Sequence, residues 1–286
     1  MLLKKGDAVG LISCSNGLKN TEAAHALVST FTQFLEREYG LVVVCTAAVF
    51  VDAETERTHP PAFRAACLQE LYLNDGIKAI FDLSGGDLAN EILPFLNFDS
   101  IKVYPKPYFG YSDNTVIVNA LQQRTGIRNY LYNPKVLVSS ESLFQKVAFD
   151  GMLGSSSVDM SAYLELDGPP GCEPPNDACY VGGNIRCLLK LAGTAHWPDF
   201  RKKIVVLESA GGQYEQMCSG LAQLEQIGVF AQVQGVILGQ FMALSNNNQR
   251  DALIQVCKKV ADAYAVPLWT TAFIGHDDLS KPIPIG

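Results

Sequence analysis

Four times before residue 126, a short apolar run gives way to a segment whose apolar residues recur at helical spacing, and this alternation is the strongest constraint on the fold. The apolar runs are 8–13, 41–46, 77–83 and 107–111, all read as buried strands. The first helix is expected from Thr21 to Glu38, with Leu27, Phe31, Phe34 and Leu35 on one face and Gly40 at its end. A second follows Pro60-Pro61, because proline suits a first helical turn. A third carries Ile92, Leu93 and Leu96, and a fourth Val116, Ile117, Ala120 and Leu121. Such alternation implies right-handed crossovers and a mostly parallel sheet with helices on both faces. Ligands of open sheets bind at the carboxyl ends of strands, here the loops 14–17, 84–87 and 110–114.

One of these ends is chemically distinctive. In Lys106-Pro107-Tyr108-Phe109-Gly110-Tyr111-Ser112-Asp113-Asn114-Thr115 a short aromatic strand meets a helix, and Ser112 falls on the turn. A serine there is thrust out of the backbone. The N–H of Asp113 and the helix N-terminus both favour negative charge beside it, as in a nucleophile elbow. An ordinary helix N-cap explains the same Ser-Asp-Asn-Thr cluster. Ser84-Gly85-Gly86-Asp87 also has two readings, a tight turn or backbone N–H groups close against a reacting oxygen. Neither phosphate-binding glycine spacing is present.

With 286 residues, 48% of them hydrophobic, the chain can bury a sizeable core. Its net charge of −7 and the lack of a basic stripe argue against nucleic acid as the main partner. The apolar part of Met1 to Asp7 is too short for a signal peptide, and no later run approaches a membrane span, so a cytoplasmic protein is expected. The eight cysteines form no Cys-x-x-Cys pair and no histidine stands at ligand spacing. They are expected to be reduced and mostly buried, forming neither a zinc site nor a disulfide frame, and no cofactor is implied.

Further along, a strand is expected at Arg128 to Tyr132 and a helix at Ser142 to Leu153. Glycine, serine and proline then accumulate in Gly154-Ser155-Ser156-Ser157 and Gly168 to Pro175, around a short strand at Ala162 to Leu166. This divides the chain into 1–153, a linker at 154–175, and 176–286. The second half offers a turn at Val181 to Ile185, a helix from Arg186 to Ala192, and a strand from Ile204 to Leu207 with Glu208 at its end. A helix from Gln213 to Ile227, a strand from Val233 to Phe241, a loop at Ser245 to Asn248, a helix from Gln249 to Tyr264 and a strand from Pro267 to Thr271 follow.

A serine nucleophile needs a base, usually histidine, and a carboxylate to orient that base. Of the four histidines, His25, His59 and His196 have settings that suit surface or packing roles, whereas His276 follows a strand and a glycine. Glu208 ends an apolar strand, where a charge is costly without a partner or a task, though an exposed strand terminus is the other explanation. The candidate set is Ser112, Glu208 and His276.

The motifs Gly110-Tyr111-Ser112-Asp113-Asn114-Thr115, Val181-Gly182-Gly183-Asn184-Ile185, Val206-Leu207-Glu208, Val236-Ile237-Leu238-Gly239 and Gly275-His276, with the closing Pro282-Ile283-Pro284-Ile285-Gly286, resemble the LD-carboxypeptidase family, the S66 serine peptidases, in order and over nearly the whole chain. The resemblance implies a flavodoxin-like amino-terminal α/β domain carrying the serine and a smaller carboxyl-terminal α/β domain carrying glutamate and histidine. It further implies a metal-free Ser-Glu-His triad, oxyanion-hole N–H groups from Gly86 and Asp113, a homodimer, and release of the terminal D-alanine of murein tetrapeptides in cytoplasmic recycling. Gly85-Gly86-Asp87-Leu88 and Asn90 to Leu96 are closer to the microcin-immunity branch, which cleaves aminoacyl-nucleotide conjugates. That reading predicts an aromatic such as Trp197 near the site. A non-catalytic small-ligand binding protein predicts that the three candidates do not converge. Arg186 is a candidate for gripping a substrate carboxylate, its alternative being a helix-end charge.

Overall fold

The computed structural model describes residues 3–154 and 158–286, so Ser155 to Ser157 of the expected linker lie outside the described residues, as do Met1 and Leu2. In chain order the first part comprises β1 (Ala8–Ile12), α1 (Glu22–Tyr39), β2 (Val42–Cys45), α2 (Pro61–Leu73), β3 (Ile77–Asp82), α3 (Phe98–Val103), β4 (Tyr108–Gly110), α4 (Thr115–Thr125) and β5 (Asn129–Leu131). Helices α5 (Ser142–Gly154) and α6 (Met160–Leu164) lead to β6 (Tyr180–Asn184), α7 (Ile185–Leu189), β7 (Ile204–Ser209), α8 (Tyr214–Gln226), β8 (Gly235–Phe241), α9 (Met242–Asn246), α10 (Arg250–Ala263), β9 (Leu268–Thr270) and β10 (Ile283–Ile285).

The first sheet has the order β10-β5-β4-β3-β1-β2, all parallel except β10, which runs antiparallel to β5. Its parallel strands follow the 2-1-3-4-5 order of flavodoxin-like sheets. The second sheet, β6-β7-β8-β9, is parallel throughout. Local chemistry sets the ends of α1 as expected: the Thr21 side chain accepts from the Ala24 N–H, and Gly40 takes a left-handed φ of 64°. Phe81, Phe109, Tyr130 and Phe149 interlock in the first core. Val181, Val205, Leu207, Val236 and Leu238 begin a second core beneath α8 and α10.

The two sheets meet at α4. Asn119 Nδ2 donates to Gly182 O and the Gly182 N–H returns a bond to Asn119 Oδ1, while the Asn184 N–H donates to Thr115 Oγ1 at 2.9 Å. The helix that begins just after Ser112 is thereby fastened to the first strand of the second sheet.

Several expectations need correction. β2 is a sheet edge with Val42 and Val44 exposed, not a buried strand, because nothing pairs with its outer side among the described residues. The strand expected at Ala162 to Leu166 is the helix α6, started by the Asp159 carboxylate accepting from the Ser161 and Ala162 N–H groups. The segment carrying Ile92 and Leu93 is a 3-10 helix, Ala89–Phe95, with Pro94 inside it. The expected loop at Ser245 to Asn248 overlaps α9. The closing Ile283–Ile285, for which no strand was expected, pairs with β5 as β10.

Candidate active site

Ser112 follows the short strand β4 and opens a 3-10 turn, Ser112–Asn114, that runs into α4. Its φ of 57° lies in the left-handed region, a strained setting for a residue with a side chain. Gly110 makes the tight approach possible, since a Cβ there would lie 2.5 Å from the Tyr108 ring and 2.8 Å from Asn114 Cβ. Asn114 fastens the turn to the end of β3, its Nδ2 donating to Asp82 Oδ1 at 2.9 Å and to Ser84 O at 2.7 Å. The Tyr108 hydroxyl donates to Asp82 Oδ2 at 2.7 Å, and burial pushes the Asp82 carboxyl up.

His276 Nε2 lies 2.9 Å from Ser112 Oγ, and its Nδ1 lies 2.8 Å from Glu208 Oε2. The structure thus brings the three residues into one chain of contacts, with serine from the first sheet and glutamate from the end of β7 in the second. Glu208 is fully buried, and its Oε1 has no hydrogen-bond partner among the described residues. The Tyr111 hydroxyl donates to Gly275 O and sits 3.1 Å from His276 Nδ1, and the two rings meet edge to face. Burial, then the Glu208 charge, push the Tyr111 hydroxyl well above its ordinary value, so it stays a neutral donor.

The loop 84–87 lies directly against the serine, with a Cβ on Gly85 falling 3.5 Å from Ser112 Oγ. Gly86 has a φ of 141°, and a Cβ there would sit 2.2 Å from the Asn16 side chain. Its N–H donates to no acceptor among the described residues. Asn16 Oδ1 accepts from the Asp87 N–H at 2.9 Å, so the loop after β1 supports the loop after β3. The Asp113 carboxylate is buried away from the serine. It accepts from Ser15 Oγ at 2.7 Å and the Ala89 N–H at 2.8 Å, and it ion-pairs with Lys190.

Beside Ser112 opens a cavity of about 520 Å³. Asn184, Arg186, Ser209, Gln216 and Gln223 supply polar groups, Leu189 and Met217 the apolar wall, and no lining residue is aromatic. Trp197 lies against Phe200 and does not line it. The other histidines are elsewhere: His25 stacks on Phe50, His59 on Phe63, and His196 lies against Phe98. Among the described residues no group of three His, Cys, Asp or Glu side chains is disposed to hold a metal ion.

Sequence reasoning passed over Tyr111 and Lys190. Adjacency to Ser112 is the one signal that singles out Tyr111. Lys190 carries none, because its partner Asp113 is 77 positions away.

Family models for the LD-carboxypeptidase N-terminal domain and the LD-carboxypeptidase C-terminal domain match residues 9–132 and 178–286. A Bacillus subtilis protein described as a probable murein peptide carboxypeptidase is 26% identical over 99% of this chain and 88% of its own length. The microcin C7 self-immunity protein MccF of Escherichia coli is 23% identical over 99% of this chain and 90% of its own. The crystal structure of a muramoyltetrapeptide carboxypeptidase from Oxalobacter formigenes superposes with a TM-score of 0.75 at 20% identity, covering 98% of this chain and 92% of that one.

Proposed function

The chain belongs to the LD-carboxypeptidase family, and from that premise we propose that it is a serine carboxypeptidase that cleaves an L,D peptide bond to release the terminal D-alanine of murein tetrapeptides. The observation that carries the reading is His276 standing between Ser112 Oγ and Glu208 Oε2, at 2.9 and 2.8 Å.

In this reading His276 Nε2 takes the Ser112 proton as Oγ attacks the scissile carbonyl carbon. Glu208 holds the Nδ1–H and stabilises the imidazolium. The negative charge that develops on the carbonyl oxygen meets the N–H groups of Gly86 and Asp113. His276 then gives its proton to the nitrogen of the departing D-alanine, leaving an acyl-enzyme on Ser112. Water, deprotonated by the same imidazole, releases the shortened peptide and restores the serine. The strained φ of Ser112 and the buried, half-partnered carboxylate of Glu208 both carry a stability cost that a catalytic task explains.

The family and the cavity support this choice of substrate. Its walls offer hydrogen-bonding side chains and one cation, with no aromatic surface on which a nucleobase would stack. Those features favour a peptide over an aminoacyl-nucleotide conjugate, and the convergence of the three candidates argues against a ligand-binding role without catalysis. The same reading assigns the enzyme to peptidoglycan recycling in the cytoplasm, as a homodimer.

The test presents the purified protein with a murein tetrapeptide ending in D-alanine, its L-alanine epimer, and an aminoacyl-adenylate analogue. Release of D-alanine from the first, without turnover of the others, is the expected result. Cleavage of the nucleotide conjugate alone would replace this reading with the immunity-type amidase.

A further inference from the structure

Arg186 is the one charged side chain among the residues lining the cavity beside Ser112. It stands on α7, just after β6, and reaches across to the loop after β3. Nη1 donates to Asp87 Oδ1 at 2.6 Å and Nη2 to Gly86 O at 3.3 Å. The side chain is about half exposed, and that of Asp87 about two-thirds. An exposed ion pair of this kind contributes little to stability and is readily exchanged for another carboxylate. Lys190, the neighbouring cation, is committed: its ammonium is bound to the buried Asp113 carboxylate and to Asp87 O, and it does not line the cavity.

Reach gives this placement a meaning. A carboxypeptidase attacks the carbonyl one residue before a free carboxylate, so the two groups are separated by about 3.5 Å of chain. On the reading above, which this inference rests on, the oxygen of the attacked carbonyl sits at the Gly86 N–H. Arg186 is bonded to the carbonyl of that same residue. Its planar fork therefore stands at the loop that would hold that oxygen and on the cavity that Ser112 lines, and a guanidinium matches a carboxylate in a two-point contact.

We propose that Arg186 is the specificity residue of the site: it receives the terminal carboxylate of the substrate, taking it in exchange for Asp87. The enzyme is thereby restricted to peptides with a free carboxyl end, and chains that continue past the scissile bond leave the guanidinium on Asp87 and gain no such contact.

The test compares wild type, Arg186→Gln and Arg186→Lys on a murein tetrapeptide whose terminal D-alanine is either the free acid or the amide. Wild type should prefer the acid by about 10- to 100-fold in kcat/KM, the size of a charge-assisted contact. In Arg186→Gln that preference should fall to within about threefold of unity, mainly through a higher KM for the acid, and Arg186→Lys, which keeps the charge without the fork, should lie between. Because each variant is read as its own acid-to-amide ratio, a general loss of folded protein cancels. An Arg186→Gln enzyme that keeps the wild-type preference, or a wild type with no preference, would overturn the assignment while leaving the carboxypeptidase reading intact. A wild type inert on both forms would instead overturn that reading, and this inference with it.

Discussion

The residue before Ser112 is hydrogen-bonded to the residue before His276: the Tyr111 hydroxyl donates to Gly275 O across 164 positions of sequence. The Tyr111 hydroxyl also lies 3.1 Å from His276 Nδ1, so one buried side chain fixes the spacing between the Ser112 turn and the segment bearing the imidazole. Removing it with Tyr111→Phe keeps the ring contact and loses the tether. We expect kcat to fall by about 10- to 100-fold, the cost of a slightly misplaced base, with KM nearly unmoved. Steady-state kinetics with a thermal melt on the same samples checks this; a rise in KM with kcat preserved would contradict it.

Glu208 presents a single oxygen to His276 from a fully buried position. Glu208→Gln keeps the shape, removes the charge and offers an amide N–H where the imidazole needs an acceptor. If the three act as a triad, as proposed, loss of about 10³- to 10⁴-fold in kcat is expected. A variant within tenfold of wild type would mean that the carboxylate has no part in turnover.

The partly exposed Lys190 pairs with the fully buried Asp113, whose carboxylate also holds the Ala89 N–H and Ser15 Oγ in place. Lys190→Met strands the carboxylate without its cation. Breaking such a pair should cost about 3 kcal/mol of stability, measurable as a lower midpoint in urea at unchanged m-value. An unchanged midpoint would show that Lys190 serves only the surface.

Thiol chemistry reports on the packing of α7 and α10. Burial, and for Cys187 the nearby Asp113, push the thiols of Cys187 and Cys257 up to about 12. The thiolate is the reactive form, so at pH 8 only about one such thiol in 10⁴ is ionised and its labelling should quicken about tenfold per pH unit. Iodoacetamide at pH 8 should mark the exposed Cys45 while Cys187 and Cys257 stay unmodified until urea is added, as read by peptide mass spectrometry. Early labelling of Cys187 would indicate that α7 opens in the native state.

Much of this architecture is written locally in the chain. Apolar runs and helical periodicity carry the parallel sheet, and Gly110-Tyr111-Ser112 places the serine at the turn between a strand and a helix, where an N-cap and a nucleophile elbow read alike. What local pattern omits is pairing at a distance. Ile283–Ile285 is too short to announce itself as a strand, and its partner β5 lies some 150 residues earlier. Helix α6 is five residues long, less than two turns, so no periodicity distinguishes it from a strand, and only the Asp159 cap reveals it. In the site, residue type picked out Ser112, Glu208 and His276 singly, but their separations are set by the docking of α4 on β6, a contact between sheets. The same holds for Arg186, whose partners Gly86 and Asp87 are about 100 positions away.

The most direct test of the account is the rate of D-alanine release from a murein tetrapeptide by wild type and by Ser112→Ala, at equal folded concentration. Release by wild type is expected, with a loss on the order of a million-fold in the variant and substrate binding retained. A Ser112→Ala protein that releases D-alanine at close to the wild-type rate would contradict it.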